Sequence, residues 1–130
     1  MDKRFGKKYK LCNEKQIEFV FAAKNSVKSY PFVVHFADLQ TQTDVPFQIT
    51  ISAPKRNFKK AHERNRINRI LREALRENKL ILETFLIENE RKLGLFLIYT
   101  AKEEISFDVL QKKMKSVLNQ LIIEISNDKK

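Results

Sequence analysis

The sequence predicts a sandwich of helices on a sheet, α+β or mixed α/β, and three observations carry that expectation. Apolar residues recur at helical spacing in three stretches. They alternate with period two in another and form a short continuous run in a fifth. In chain order these read helix, strands, helix, strand, helix, a pattern that two packed layers satisfy. At 130 residues and 42% hydrophobic content, the chain suits one domain (1–130) with one core in which ten Phe and no Trp do most of the filling.

Asn13 to Lys24 reads as the first helix. Asn13 can cap it, Gln16 can bond back to the cap, and Ile17, Val20, Phe21 and Lys24 follow helical spacing. Pro31 to Leu39 and Val45 to Ala53 read as strands. In the second, Phe47, Ile49 and Ile51 alternate with Gln48, Thr50 and Ser52, so one face is buried and one is polar. The polar segment Gln40–Asp44 between them fits a hairpin connection. Pro54 closes the second strand. From about Arg64 the chain is helical again, with Ile67, Ile70, Leu71, Ala74 and Leu75 along one side. Leu80 to Glu90 either extends this helix or forms another. Gly94 to Thr100 is an apolar strand. Ser106 can cap a last helix carrying Leu110, Met114, Val117, Leu121 and Ile125. Residues 1–12 form a basic, turn-like start, and 127–130 a frayed tail.

Charge is concentrated. Lys55 to Arg76 holds nine bases against two acids, a net +7, and the first ten residues add +4. The whole chain is +10, so the remainder is close to neutral. Such concentration is the footprint of a polyanion partner, most often nucleic acid. Asn65, Arg69, Arg72 and Arg76 fall opposite the apolar side of the helix, with Arg66 on the flank. Like charges three and four residues apart destabilise a free helix, and a counter-charge relieves them. Arg presents a planar fork to phosphate oxygens, whereas Lys acts as a point charge. An Arg-rich helix behind the Lys-rich segment Lys55, Arg56, Lys59, Lys60 therefore suggests oriented contacts from the helix and looser attraction from the loop. The Asn65 amide could bond a base edge, a 2′-hydroxyl or a hydrated metal, or cap the helix locally. Arg64 falls toward the apolar side, and either belongs to the loop or lays its stem on the sheet.

Protein-based hydrolysis finds little support. No acidic cluster suited to Mg²⁺ stands out in the sequence. Glu63 and Glu73 are expected to pair with neighbouring Arg, and Glu103–Glu104 to form an exposed turn. His35 and His62 lie far apart, and Cys12 sits in no catalytic motif. No apolar run approaches the roughly 20 residues that span a bilayer. One Cys and no export signal point to the cytoplasm.

The segment Lys55–Leu75 resembles the bacterial ribonuclease P protein component. Lys55, Arg56, Ala61, Arg64, Asn65, Arg66, Ile67, Arg69, Arg72 and Glu73 match its motif, and Asn68 stands where the family usually has Lys. More weakly, Phe5, Lys7 and Leu11 resemble the family's basic start. Ile17 and Phe21 fall where it often has aromatics, and Val33, Val34 and His35 resemble its first strand. The resemblance implies an αβββαβα two-layer fold similar to a ribosomal protein domain. It also implies a left-handed crossover, against the general right-handed rule.

It further implies an RNA-binding protein subunit of the ribonucleoprotein that removes the 5′ leader from precursor tRNA. The catalytic groups would lie on the RNA, and Mg²⁺ would be held mainly by that RNA, with none bound by the protein alone. Its partners would be the catalytic RNA and the precursor tRNA, without a membrane or an obligate protein partner. The docking face would be Lys55, Arg56, Lys59, Lys60, Arg64, Asn65, Arg66, Arg69, Arg72 and Arg76, screening phosphate repulsion and lowering the Mg²⁺ requirement. Ile17, Phe21 and His35 would hold the leader in a cleft between the first helix and the sheet. Phe19 or Phe36 could take over stacking that Ile17 cannot provide, and Phe21 could instead be a core residue. The alternatives are a ribosomal or general structured-RNA-binding module, a DNA-binding helix and a stand-alone protein nuclease.

Overall fold

The structure, a computed structural model, describes residues 14–23, 25–38 and 45–127. The element order is α1 (Glu14–Ala22), β1 (Ser26–Ser29), β2 (Phe32–Asp38), β3 (Phe47–Ser52), α2 (Ala61–Glu88), β4 (Leu93–Tyr99) and α3 (Phe107–Asn127). This is the αβββαβα order of an α+β fold. Asn13, Lys24, Leu39, the segment Gln40–Asp44 and the basic start lie outside the described residues.

The four strands form one mixed sheet in the order β1-β2-β4-β3. β1 and β2 make an antiparallel hairpin, with Ser29 opposite Phe32 across the Tyr30–Pro31 turn, whose peptide bond is cis. β2 runs antiparallel to β4, and β3 parallel to β4. The expected hairpin between β2 and β3 is therefore corrected, because β4 lies between them. The reason is burial. β4 reads LGLFLIY, apolar on nearly every position, and such a strand takes an interior place in the sheet, flanked here by β2 and β3. The strand β1 carries no period in the sequence, since its four residues include one apolar side chain, Val27.

Alternation sorts the sheet into two faces. Phe32, Val34, Phe36, Phe47, Ile49, Leu93, Leu95, Leu97 and Tyr99 enter the main core with α2 and α3. Ile67, Leu71, Ala74, Leu75, Leu82 and Leu86 of α2 meet Leu110, Met114, Val117, Leu121 and Ile125 of α3 in the same core. Burying each of these Leu and Ile side chains stabilises the fold by roughly 1.5–3 kcal/mol before entropy is counted. On the other face, α1 packs on β2 and β4 through a small second cluster, with Val20 on Ala37 and Ile17 and Phe96 at its edge. Ala37 and Gly94 stand side by side in register, so a single methyl group and a bare Cα leave room for α1.

The Leu80–Glu90 alternative resolves as continuation: α2 is one 28-residue helix, about 42 Å long. It stops in a Schellman arrangement. Arg91 N–H donates to Leu86 O at 2.9 Å, and Glu90 N–H to Ile87 O at 3.2 Å. Glu90 takes the left-handed position, φ 54°, that Gly usually fills. Arg91 then grips Asp38 at 2.8 and 3.0 Å, tying the end of β2 to the start of β4.

Candidate nucleic-acid interface

The basic segment is built on one buried anchor. Phe58 inserts into the core, its ring 5.9 Å from that of Tyr99, and the N–H groups of Asn57 and Phe58 donate to Pro54 O at 3.1 Å. The loop is thereby pinned while Lys55, Arg56, Lys59 and Lys60 remain exposed. Lys60 is the N-cap of α2, in extended conformation and without a side-chain cap hydrogen bond. Arg64 supplies the missing brace from inside the helix. Its Nη1 donates to Phe58 O at 2.9 Å and to Lys59 O at 3.0 Å. Arg64 thus belongs to the helix and reaches back, so at least part of its fork serves the fold.

Starting at Ala61 rather than near Arg64, the helix places Asn65 in its second turn. A local capping role for Asn65 is therefore ruled out by position, and its amide is exposed. The four helix arginines beyond it have different surroundings. Arg66 makes a two-pronged pair with Glu104, Nε to Oε1 at 3.0 Å and Nη2 to Oε2 at 3.1 Å. Arg76 lies between Glu73, 3.1 Å from its Nε, and Glu77. The hydrogen bond from Arg76 holds the Glu73 carboxyl below its usual pKa, and the same bond raises that of Arg76. Arg69 and Arg72 are exposed, and neither forms an ion pair or hydrogen bond among the described residues. Asn68 is half-buried on the flank, as the helical wheel predicts.

Glu73 pairs with an adjacent Arg as expected. Glu63 forms no ion pair among the described residues; it lines a cavity of about 440 Å³ with His62, Arg66, Lys102, Glu103 and Glu104. The acid that neutralises Arg66 comes from 38 residues away, a partner no local pattern reveals. The loop just before Glu104 is anchored by Tyr99, whose buried hydroxyl donates to Glu103 O at 2.7 Å. Burial pushes the Tyr99 pKa up to about 12.

The second candidate surface is the open sheet face beside α1. Phe21 and His35 come together there, with ring centroids 4.6 Å apart, and Phe96 joins them at 4.7 Å from Phe21. Phe21 is 40% exposed, so it is not a core residue. Ile17 lies half-buried against the cluster beneath it. Of the two substitute platforms, Phe19 is exposed but Phe36 is buried at 4% and faces α2 and α3, so Phe36 cannot stack on a ligand. Phe96 was missed because its strand is apolar throughout, and a continuous run does not tell an open-face residue from a core one. Across the strands, Ser26, His35, Phe96 and Thr50 form one row, and Lys28, Val33, Ile98 and Ser52 the next. Burial, then the Lys28 ammonium, holds the His35 imidazole below its ordinary pKa. The His35 imidazole offers a flat ring.

Among the described residues, no group of three or more His, Cys, Asp or Glu is placed to hold a metal ion. No described helix is long and apolar enough to cross a membrane. Cys12 lies outside the described residues.

The family model for ribonuclease P matches residues 5–122 of the chain. By sequence, no curated protein matches it. The ribonuclease P protein of Staphylococcus aureus is similar in fold, with a TM-score of 0.69 at 19% identity, covering 87% of this chain and 94% of that one. The ribonuclease P protein from Thermotoga maritima gives a TM-score of 0.68 at 21% identity, with 85% and 96% covered.

Proposed function

The chain belongs to the ribonuclease P family as the protein subunit that partners ribonuclease P RNA, and from that premise we propose that its two exposed faces take different parts of the RNA. The solvent face of α2 docks on the catalytic RNA. Arg69 and Arg72 lead, Asn65 adds a donor and an acceptor, and Arg66 joins once it leaves Glu104. Lys55, Arg56, Lys59 and Lys60 attract phosphate from the pinned loop. Arg64 and Arg76 contribute less, because the first braces the loop and the second is held by two carboxylates.

The open sheet face receives the single-stranded leader of precursor tRNA. Phe21, His35 and Phe96 provide stacking surface with little base preference, which suits a substrate whose leader varies. Ile17 supports this platform from below. Bond cleavage belongs to the RNA, with Mg²⁺ held mainly there, and the basic face lowers the Mg²⁺ requirement by screening phosphate repulsion. This reading makes the protein cytoplasmic.

The observation that carries the proposal is the unpaired Arg69–Arg72 pair on a helix whose opposite side carries the buried Ile67, Leu71, Ala74 and Leu75. Reconstitution tests it. The protein, combined with a cognate ribonuclease P RNA, should accelerate leader removal at low Mg²⁺. Equal rates with and without protein would refute the role.

A further inference from the structure

The loops after β3 and β4 meet in a second cleft. The two strands are parallel neighbours, so their C-terminal ends emerge side by side. Arg56 and Asn57 from one loop, and Thr100 and Lys102 from the other, line a cavity of about 540 Å³. No carboxylate lines it. Arg56 and Lys102 are exposed and form no ion pair among the described residues.

We infer that these four residues form an oxyanion cradle for one phosphate group. Two cations line this cavity with no carboxylate among its lining residues, although Lys102 also borders the adjoining cavity with Glu63, Glu103 and Glu104, and an arriving phosphate adds the counter-charge on this side. The Arg56 fork can bond two oxygens, Lys102 adds a compact charge, and the Asn57 amide and Thr100 hydroxyl supply neutral donors.

The cradle is preorganised from both sides. Phe58 in the core and the Asn57 N–H bond to Pro54 fix the first loop. Thr100 N–H donates to Pro31 O at 2.7 Å, and the Tyr99 hydroxyl holds Glu103 O, so the second loop is fixed as well. Glu63, Glu103 and Glu104 line the adjoining cavity, where Arg66 occupies Glu104.

Resting on the docking role of α2, the phosphate is a backbone phosphodiester of the docked RNA, which would extend the RNA footprint from the helix onto the end of β4. Inorganic phosphate shares the chemistry and serves as the probe. Titrated into the full protein, it should give saturable amide shifts at Asn57, Thr100 and Lys102 that vanish in Lys102→Ala. Lys102→Ala should also lower the salt slope of ribonuclease P RNA binding by about 0.7–0.9, as one lost phosphate contact does. Lys113→Ala, an exposed charge on α3, should leave that slope unchanged. Non-saturable shifts, or shifts that persist in Lys102→Ala, would overturn the cradle. Saturable phosphate binding with an unchanged RNA slope would overturn the RNA assignment. The phosphate arm contains no RNA, so it decides the site even if reconstitution shows no gain.

Discussion

Replacing Arg69 and Arg72 together with Ala removes the two helix arginines that have no partner among the described residues. Nothing in the described fold depends on them, so the stability of the free protein should move by no more than about 0.5 kcal/mol. Each lost phosphate contact lowers the slope of log K against log salt by about 0.7–0.9, so the pair should lower it by about 1.4–1.8. Between 50 and 200 mM salt, a fourfold change, the wild-type advantage in RNA affinity should therefore shrink about 7- to 12-fold. Filter binding or fluorescence titration of the cognate RNA over that range measures it. Arg76→Ala is the internal comparison. Glu73 and Glu77 already neutralise that guanidinium, so its change in slope should be clearly smaller than that of either unpaired Arg. An unchanged slope in the double variant would refute the docking face. Equal effects from Arg76 and Arg69 would refute the claim that intramolecular pairing decides which arginines act.

Phe21→Ala should weaken binding of leader-bearing precursor by about 5- to 150-fold, from the roughly 1–3 kcal/mol of one base–aromatic stack. Binding of mature tRNA should hardly change; equal losses for both would place the leader elsewhere. His35 should titrate below 6.5, its ordinary value, in an NMR pH series. Because the folded pKa is lowered, the unfolded chain protonates first. The contribution of His35 to stability is therefore present above pH 6.5 and lost as pH falls through the folded midpoint. Urea melts at pH 7.5 and 5.5 should show less of this loss in His35→Gln. Lys79 and Glu83 form a buried pair on α2, 3.7 Å apart. Lys79→Met leaves a buried carboxylate and should cost about 3–5 kcal/mol in urea unfolding, while Lys79→Met with Glu83→Leu should be near neutral or stabilising.

The helices α2 and α3 and the strands β2, β3 and β4 were legible in the sequence to within a few residues, because each buries a stripe or a face and burial imposes a period. The docking segment was legible for a different reason. Nine bases in 22 residues need a counter-charge whatever the fold. The short β1 was not legible residue by residue, since one buried Val in four residues carries no period. Nor was the α2 start, because Lys60 caps it without any capping side chain and Arg64 braces it from within.

Sequence by itself thus settled the place of every element except β1, the apolar side of each helix and the stretch that carries the positive charge, all of which follow from spacing along the chain. Only the tertiary structure decided which charges remain unneutralised. Glu104 reaches Arg66 across 38 residues, β4 inserts between β2 and β3, and Phe96 emerges beside Phe21 and His35. Coulombic pairing and ring contact depend on distance through space, and residues far apart in sequence acquire a distance only when the sheet assembles.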